Sequence, residues 1–290
     1  MKRILPSSVF AFLVTDLLCG PAELNASNKP ESLLKRQDAK TGFIENKGQI
    51  IDQHNNPNPG VLYLLNTPGF NVQLRALGWS YDIYSPTPFP SPSGEESEGR
   101  GEHKAGPSLL LQEKGLRDEV PLVTNYLCHR IDITLVDANP ECQIIPSNPL
   151  PDYFNYFTAA CPPEGIKNVR QYSKITYKNI YPGIDLEFFT NEKHGYKYNF
   201  VIHPGGNIND IQLKIAGPEH ILLNRGTLKF RTRFGDVEEL IPESYYLVND
   251  SRVDIHASFI KTNNEVFGFS VDKPIPGNSL LVIDPTIIRL

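Results

Sequence analysis

Beyond residue 42, apolar and polar side chains alternate along most of the chain. Ile131, Ile133 and Leu135 are separated by Asp132 and Thr134, and Tyr196, Tyr198, Phe200 and Ile202 run with Lys197 and Asn199 towards His203. Ile211, Leu213 and Ile215 enclose Gln212 and Lys214, Leu228 and Phe230 lie among Lys229, Arg231 and Arg233, and Phe267, Phe269 and Val271 repeat the theme. Successive side chains on a strand point to opposite faces, so a period of two predicts sheets with one buried and one wetted side. Further strands are predicted over residues 61–65, 70–76 and 79–84, with Pro68-Gly69 and Gly78 as the turns between them. Turns as short as Asn224-Arg225-Gly226 and Asn263-Asn264 predict antiparallel pairing. No long amphipathic helix interrupts the pattern. The expectation is an all-β chain, a large antiparallel β-sandwich.

An internal echo adds a second expectation. Asp132-Ile133-Thr134-Leu135, followed by Ala138-Asn139-Pro140-Glu141, is similar to Asp210-Ile211-Gln212-Leu213, followed by Ala216-Gly217-Pro218-Glu219. Trp79-Ser80-Tyr81-Asp82-Ile83 likewise matches Tyr196-Lys197-Tyr198-Asn199-Phe200. The echo suggests two tandem related β units, residues 42–160 and 161–286. Chance likeness between two aromatic-rich stretches is the competing reading. Within the first unit, residues 85–107 change character: Pro86, Pro88, Pro90 and Pro92 alternate and then give way to Gly, Glu and Ser. Such a stretch buries too little to offset its ordering entropy, so it is expected as a low-complexity loop inserted in the 42–286 domain.

Composition narrows the function classes. A chain of 290 residues has the length for a sizeable core, and 13 Tyr with 15 Phe favour strands over helices. The formal charge of −5 comes from interspersed acids and bases, so no basic stripe is present for nucleic acid. At the N-terminus, Lys2 and Arg3 precede the apolar run Val9-Phe10-Ala11-Phe12-Leu13-Val14, too short to span a bilayer. Residues 1–26 therefore read as a signal peptide, 27–41 as a flexible leader, and the mature chain as extracytoplasmic, with no transmembrane segment after cleavage. Cys19 raises a lipidation reading, but Asp16-Leu17-Leu18 lacks the small side chain that lipidation requires. Cleavage leaves Cys128, Cys142 and Cys161, an odd number, which read as incidental or buried thiols or as one bridge and a free thiol.

Candidate chemistry is thin. Asp185 and Glu187 share a strand face, whereas a glycosidase places its two carboxyls across a cleft; a solvated face, with Asp185 accepting turn amides, is the plainer reading. His129, His194 and His203 form no metal-binding spacing, and Asp52, Asn55, Asn56 and Asn58 lack the register of a calcium loop. Ser173 and Ser244 have no recognisable base. Trp79, Tyr81, Tyr84, Tyr153, Tyr156, Tyr245 and Tyr246 could present a sugar-stacking platform, although core packing and cross-strand pairing are the plainer reading of such residues. No catalytic residue, cofactor or metal is assigned.

Five segments carry a resemblance. They are Phe43-Ile44-Glu45-Asn46-Lys47-Gly48-Gln49, Asn148-Pro149-Leu150-Pro151 with Asn155-Tyr156-Phe157, Tyr181-Pro182-Gly183-Ile184-Asp185-Leu186, Tyr198 to Gly205, and Leu281-Val282-Ile283-Asp284-Pro285. In this order, over residues 42–286, the chain resembles a bacterial extracellular domain of unknown function, DUF7948-like, that stands at the head of surface proteins with SBBP β-propeller repeats or PKD-type modules. The resemblance implies a structural, adhesive or presenting role without catalysis, towards an unknown protein or glycan at the cell surface. It marks Glu45, Asn46, Gly48, Gln49, Tyr181, Pro182, Gly183, Asp185, Asp284 and Pro285 as family positions of structural character. The alternatives are a carbohydrate-binding module and a cryptic glycoside hydrolase-like enzyme.

Overall fold

The computed structural model describes residues 41–84, 127–158, 161–191, 195–263 and 265–289. The expected signal segment, the leader up to residue 40, Cys19, the 85–107 loop and His194 lie outside the described residues. Seventeen strands follow one another: β1 (Phe43–Glu45), β2 (Tyr63–Thr67), β3 (Phe70–Arg75), β4 (Gly78–Tyr84), β5 (Cys128–Leu135), β6 (Gln143–Tyr156), β7 (Ile166–Tyr181), β8 (Ile184–Asn191) and β9 (Gly195–Ile202). After a 3-10 turn at Ile208–Asp210 come β10 (Leu213–Ala216), β11 (His220–Asn224), β12 (Thr227–Thr232), β13 (Gly235–Val248), β14 (Ser251–Ile255), β15 (Ala257–Asn263), β16 (Val266–Val271) and β17 (Leu280–Arg289). The chain is all-β, and these strands pair antiparallel.

The hydrogen-bonded path runs β15-β16-β10-β5-β4-β3-β2-β1-β7-β8-β9-β17-β13-β12-β11. Its two ends approach where the Phe259 N–H donates to the Gly226 carbonyl at 3.0 Å, so the sheet comes nearly back on itself. β6 pairs along one edge of β7, which leaves β1 and β8 to share the other. Local chemistry sets the hairpins. Arg225 and Gly226 both hold positive φ (48° and 78°), the primed turn that matches strand twist. Gly78 is not a turn residue as expected but the first residue of β4. A Cβ there would meet the Ile133 carbonyl at 2.1 Å, so only glycine lets β4 lie flush on β5.

One core fills the interior. Trp79, Tyr81 and Ile83 of β4, Ile131 and Ile133 of β5, Phe188 of β8, and Tyr198 and Phe200 of β9 are all fully buried. The Trp79 ring lies 5.3 Å from Phe188 and 4.9 Å from Tyr198, and Phe200 lies 5.5 Å from Phe269. Residues 42–160 and 161–286 contribute to the same cluster and the same sheet. The two echoing segments meet directly, with Leu213 opposite Leu135 and Ile215 opposite Ile133. Burying each such side chain stabilises the fold by roughly 1.5–3 kcal/mol. Among the described residues, no helix is long and apolar enough to cross a membrane.

The alternation departs from expectation at Lys197 and Asp185, which are buried, and most fully on one face. The polar face of β3, β4 and β5 is not wet: Gln73, Ser80 and Asp82 have no exposed surface, and Asn71 is 2% exposed. Gln73 donates to Asp82 and Ser80 donates to Asp132 in place of the water that the alternation implied, while Asn71 Oδ1 is left without a partner among the described residues.

Candidate functional site

The polar face of β3–β5 gathers four charged groups, Arg75, Asp82, Arg130 and Asp132. Adjacent strands place Asp82 opposite Arg130 and Ser80 opposite Asp132. Arg130 donates through Nε to Asp132 Oδ1 at 3.0 Å, and through a terminal nitrogen to Ser80 Oγ at 3.0 Å and Gln73 Oε1 at 3.2 Å. Ser80 Oγ donates to Asp132 at 2.6 Å, Arg75 pairs with Asp132 at 3.0 Å, and Gln73 Nε2 donates to Asp82 Oδ2. Burial pushes the Asp82 carboxyl up to about 6, against the pull of Arg130 and Gln73. Burial raises Asp132 as well, but Ser80 and Arg130 more than reverse it and hold it below the ordinary range. Two carboxyls pushed apart in this way have the form of an acid–base pair. Yet Asp82 is sealed from solvent and the Arg130 guanidinium bridges the two, so a substrate has no route to the raised acid. The arrangement balances charge.

A second carboxyl is buried on the opposite side of β4. Glu239 of β13 has no exposed surface and accepts the Tyr81 hydroxyl at 2.6 Å and the Tyr198 hydroxyl at 3.1 Å. Burial pushes it up to about 7, opposed by those two hydrogen bonds. The sequence reading missed Glu239. Its signal was an acid in a core register, at the middle of Val237, Glu239 and Ile241.

The positions that the resemblance marks are tied into the fold. Asn46 Nδ2 donates to the carbonyls of Asn58 (2.9 Å) and Val61 (2.7 Å), while its Oδ1 accepts the Gly48 N–H at 2.8 Å. Gln49 accepts the Lys47 N–H at 2.7 Å and donates to the Glu45 carbonyl at 2.5 Å, and Glu45 accepts the Arg170 N–H at 2.8 Å. Gly48 takes a φ of 106°, which closes the turn. These five residues thus clasp one another and pin the 50–62 loop to β1 and β7. Beside them is a groove of about 460 Å3 lined by Glu45, Asn46, Pro57, Pro59, Tyr63 and Ile144 among others.

Around the second motif, the Tyr181 hydroxyl donates to the Val136 carbonyl at 3.0 Å, and Pro182-Gly183 turns the chain with Gly183 at φ 70°. Asp185 accepts the Asn179 N–H at 2.8 Å, Lys178 Nζ at 2.6 Å and His203 Nε2 at 2.9 Å. Burial raises its carboxyl, but these bonds more than reverse the shift and hold it below the usual range. Asp284 accepts Lys197 Nζ at 2.8 Å in a pair whose side chains are only 12% and 10% exposed. Pro285 stands where the β13–β17 ladder shifts register between Leu240 and Glu243, a bulge that tolerates a residue without an N–H.

The remaining candidates do not converge. Glu187 pairs with Lys174 at 2.8 Å, not with Asp185. His129 Nε2 meets the Gly217 carbonyl at 3.1 Å and its Nδ1 accepts the Arg233 N–H at 3.3 Å, so neither nitrogen faces a metal; burial first lowers its pKa. Asp52 Oδ1 accepts the N–H groups of His54 and Asn56, both at 2.8 Å, as a turn residue does. Among the described residues no three His, Cys, Asp or Glu side chains cluster as a metal site would. Trp79, Tyr81 and Tyr156 are buried, whereas Tyr153 is exposed and Tyr245 lies under Arg252 at 4.0 Å, so the seven aromatics form no common platform. Cys128, Cys142 and Cys161 carry free thiols.

No curated protein and no solved structure matches the chain. A family model does, the domain of unknown function DUF7948, over residues 43–286, which spans the clasp, the Tyr181–Leu186 turn motif and the first seven residues of β17. The chain belongs to that family.

Proposed function

We propose that this chain is a non-enzymatic extracytoplasmic β domain with a structural, adhesive or presenting role, exported through residues 1–26. The observation that carries the reading is the use made of the family positions. Asn46, Gln49, Tyr181, Asp185 and Asp284 each spend their polar atoms on the fold's own backbone or on a neighbouring side chain. Residues used in this way hold a shape. We further infer that the shape is a two-layer sandwich. β1 and β8 leave the same edge of β7, and Trp79, Phe188, Tyr198, Phe200 and Phe269 meet in the interior, which supports facing sheets over a round barrel. The groove beside the clasp is where a partner would be sought.

Two measurements test this. Expressed from Met1 in an exporting bacterium, the protein is expected outside the cytoplasm with a new N-terminus near residues 23–27; retention in the cytoplasm with residues 1–26 intact overturns the export reading. The purified domain is expected to bind nothing on a polysaccharide array and to leave aryl glycosides uncleaved. Saturable binding to one polysaccharide would replace the proposal with a carbohydrate-binding module, and turnover would replace it with a hydrolase.

A further inference from the structure

Glu239 is a buried acid that the motif positions do not include. β13 carries it into the interior, between Leu228 of β12 and Ile287 of β17, which stand opposite it in the ladders. From β4 it meets the Tyr81 hydroxyl, and from β9 the Tyr198 hydroxyl. Tyr196, also of β9, packs on Tyr81 with ring centres 6.0 Å apart. Trp79 packs on Tyr198, and its Nε1 is without a partner among the described residues. These tyrosines are titratable groups around Glu239, and among the described residues no Lys, Arg or His pairs with it.

A carboxylate sealed from water with no counter-charge is unfavourable, and two neutral hydroxyls compensate only part of the lost hydration. Protonated, the same carboxyl donates one hydrogen bond and accepts another among the tyrosine oxygens. It then bears no charge.

We propose that Glu239 is a protonation-controlled latch: neutral, it ties β13 to β4 and β9 across the core, and ionised, it loosens that tie. The sign follows from the folded pKa of about 7 against an ordinary 4.5. Between those values the folded chain holds a proton that the unfolded chain has released. The latch is therefore at full strength below pH 4.5 and is lost as pH rises through 7. Each pKa unit is a factor of ten, so the unfolding constant is expected to rise on the order of a hundredfold between pH 5 and pH 8 from this group alone.

Urea unfolding of the wild type and of Glu239→Gln at both pH values, at fixed ionic strength, reads the effect. Glutamine accepts from one tyrosine and donates to the other, so the variant is expected to lose that hundredfold component. Asp82→Asn serves as the control, because Asp82 adds a slope of the same sign from the other face. An identical pH dependence in wild type and Glu239→Gln would overturn the proposal. Should Glu239→Gln fail to fold, hydrogen exchange on the wild type decides. Protection of residues 79–83, 196–200 and 237–241, corrected for intrinsic rates, is expected to fall from pH 5 to pH 8; unchanged protection there would overturn the latch.

Discussion

β4 presents two faces that solve one problem differently. Its inner face, Trp79, Tyr81 and Ile83, meets other rings, and the acid that reaches it, Glu239, finds only hydroxyls. Its outer face, Ser80 and Asp82, is equally closed, but the acid there is surrounded by Arg130, Gln73 and, one step away, Arg75. Both carboxyls are raised, to about 7 inside and about 6 outside, and burial is the first cause in each case. The difference is what else surrounds the acid. An inner acid can become tolerable by keeping its proton, whereas an outer one can also lean on a cation. Alternation along a strand therefore reports which face a residue takes, and the company on that face decides its charge.

Removing contents from each face breaks the comparison most directly. Trp79→Ala is expected to cost about 3–5 kcal/mol, because a dry ring packed on Phe188 and Tyr198 leaves a cavity; urea unfolding measures it. On the outer face, Arg130→Ala strands the buried Asp82, whereas Asp132 keeps Arg75 and Ser80, and is expected to cost roughly 3 kcal/mol. The double variant Asp82→Asn/Arg130→Gln should recover part of that loss, since a paired charge is then absent from both sides. Additive losses in the cycle would show that the outer cluster is not a charge-balanced unit. Away from both faces, Asn46→Ala removes two bonds to the 50–62 loop and is expected to cost about 1–2 kcal/mol, with faster amide exchange confined to that loop. The smallest effect belongs to His129. Burial lowers its pKa, so its contribution is present above its unfolded value and fades as pH falls through that region; in the wild type, unfolding monitored from pH 7 to pH 5 should show it as a term opposed to Glu239.

Much of the fold was legible because hairpins and alternation are local. Residues 70–75 and 78–84 form strands where Pro68-Gly69 and the apolar spacing put them, and Tyr196 to Ile202 alternate as read. What the chain withheld was non-local. Nothing near Leu135 says that its partner is Leu213, or that β1 and β8 share one edge of β7. The same limit hid the sites. Gln73, Ser80 and Asp82 read as a wet face because their burial depends on Arg130, 48 residues beyond Asp82, and not on their own spacing. The clasp residues were recognisable as a motif, yet their partners Asn58, Val61 and Arg170 could be found only in three dimensions.

Trp79 is the sole tryptophan, and it is buried where the β4 side of the core meets β8 and β9. Its fluorescence during urea unfolding, set beside far-ultraviolet circular dichroism of the whole sheet, tests whether residues 42–160 and 161–286 share one core. The account predicts blue-shifted emission in the native state and a single transition with the same midpoint by both probes. A tryptophan transition separated from the loss of strand signal would contradict it.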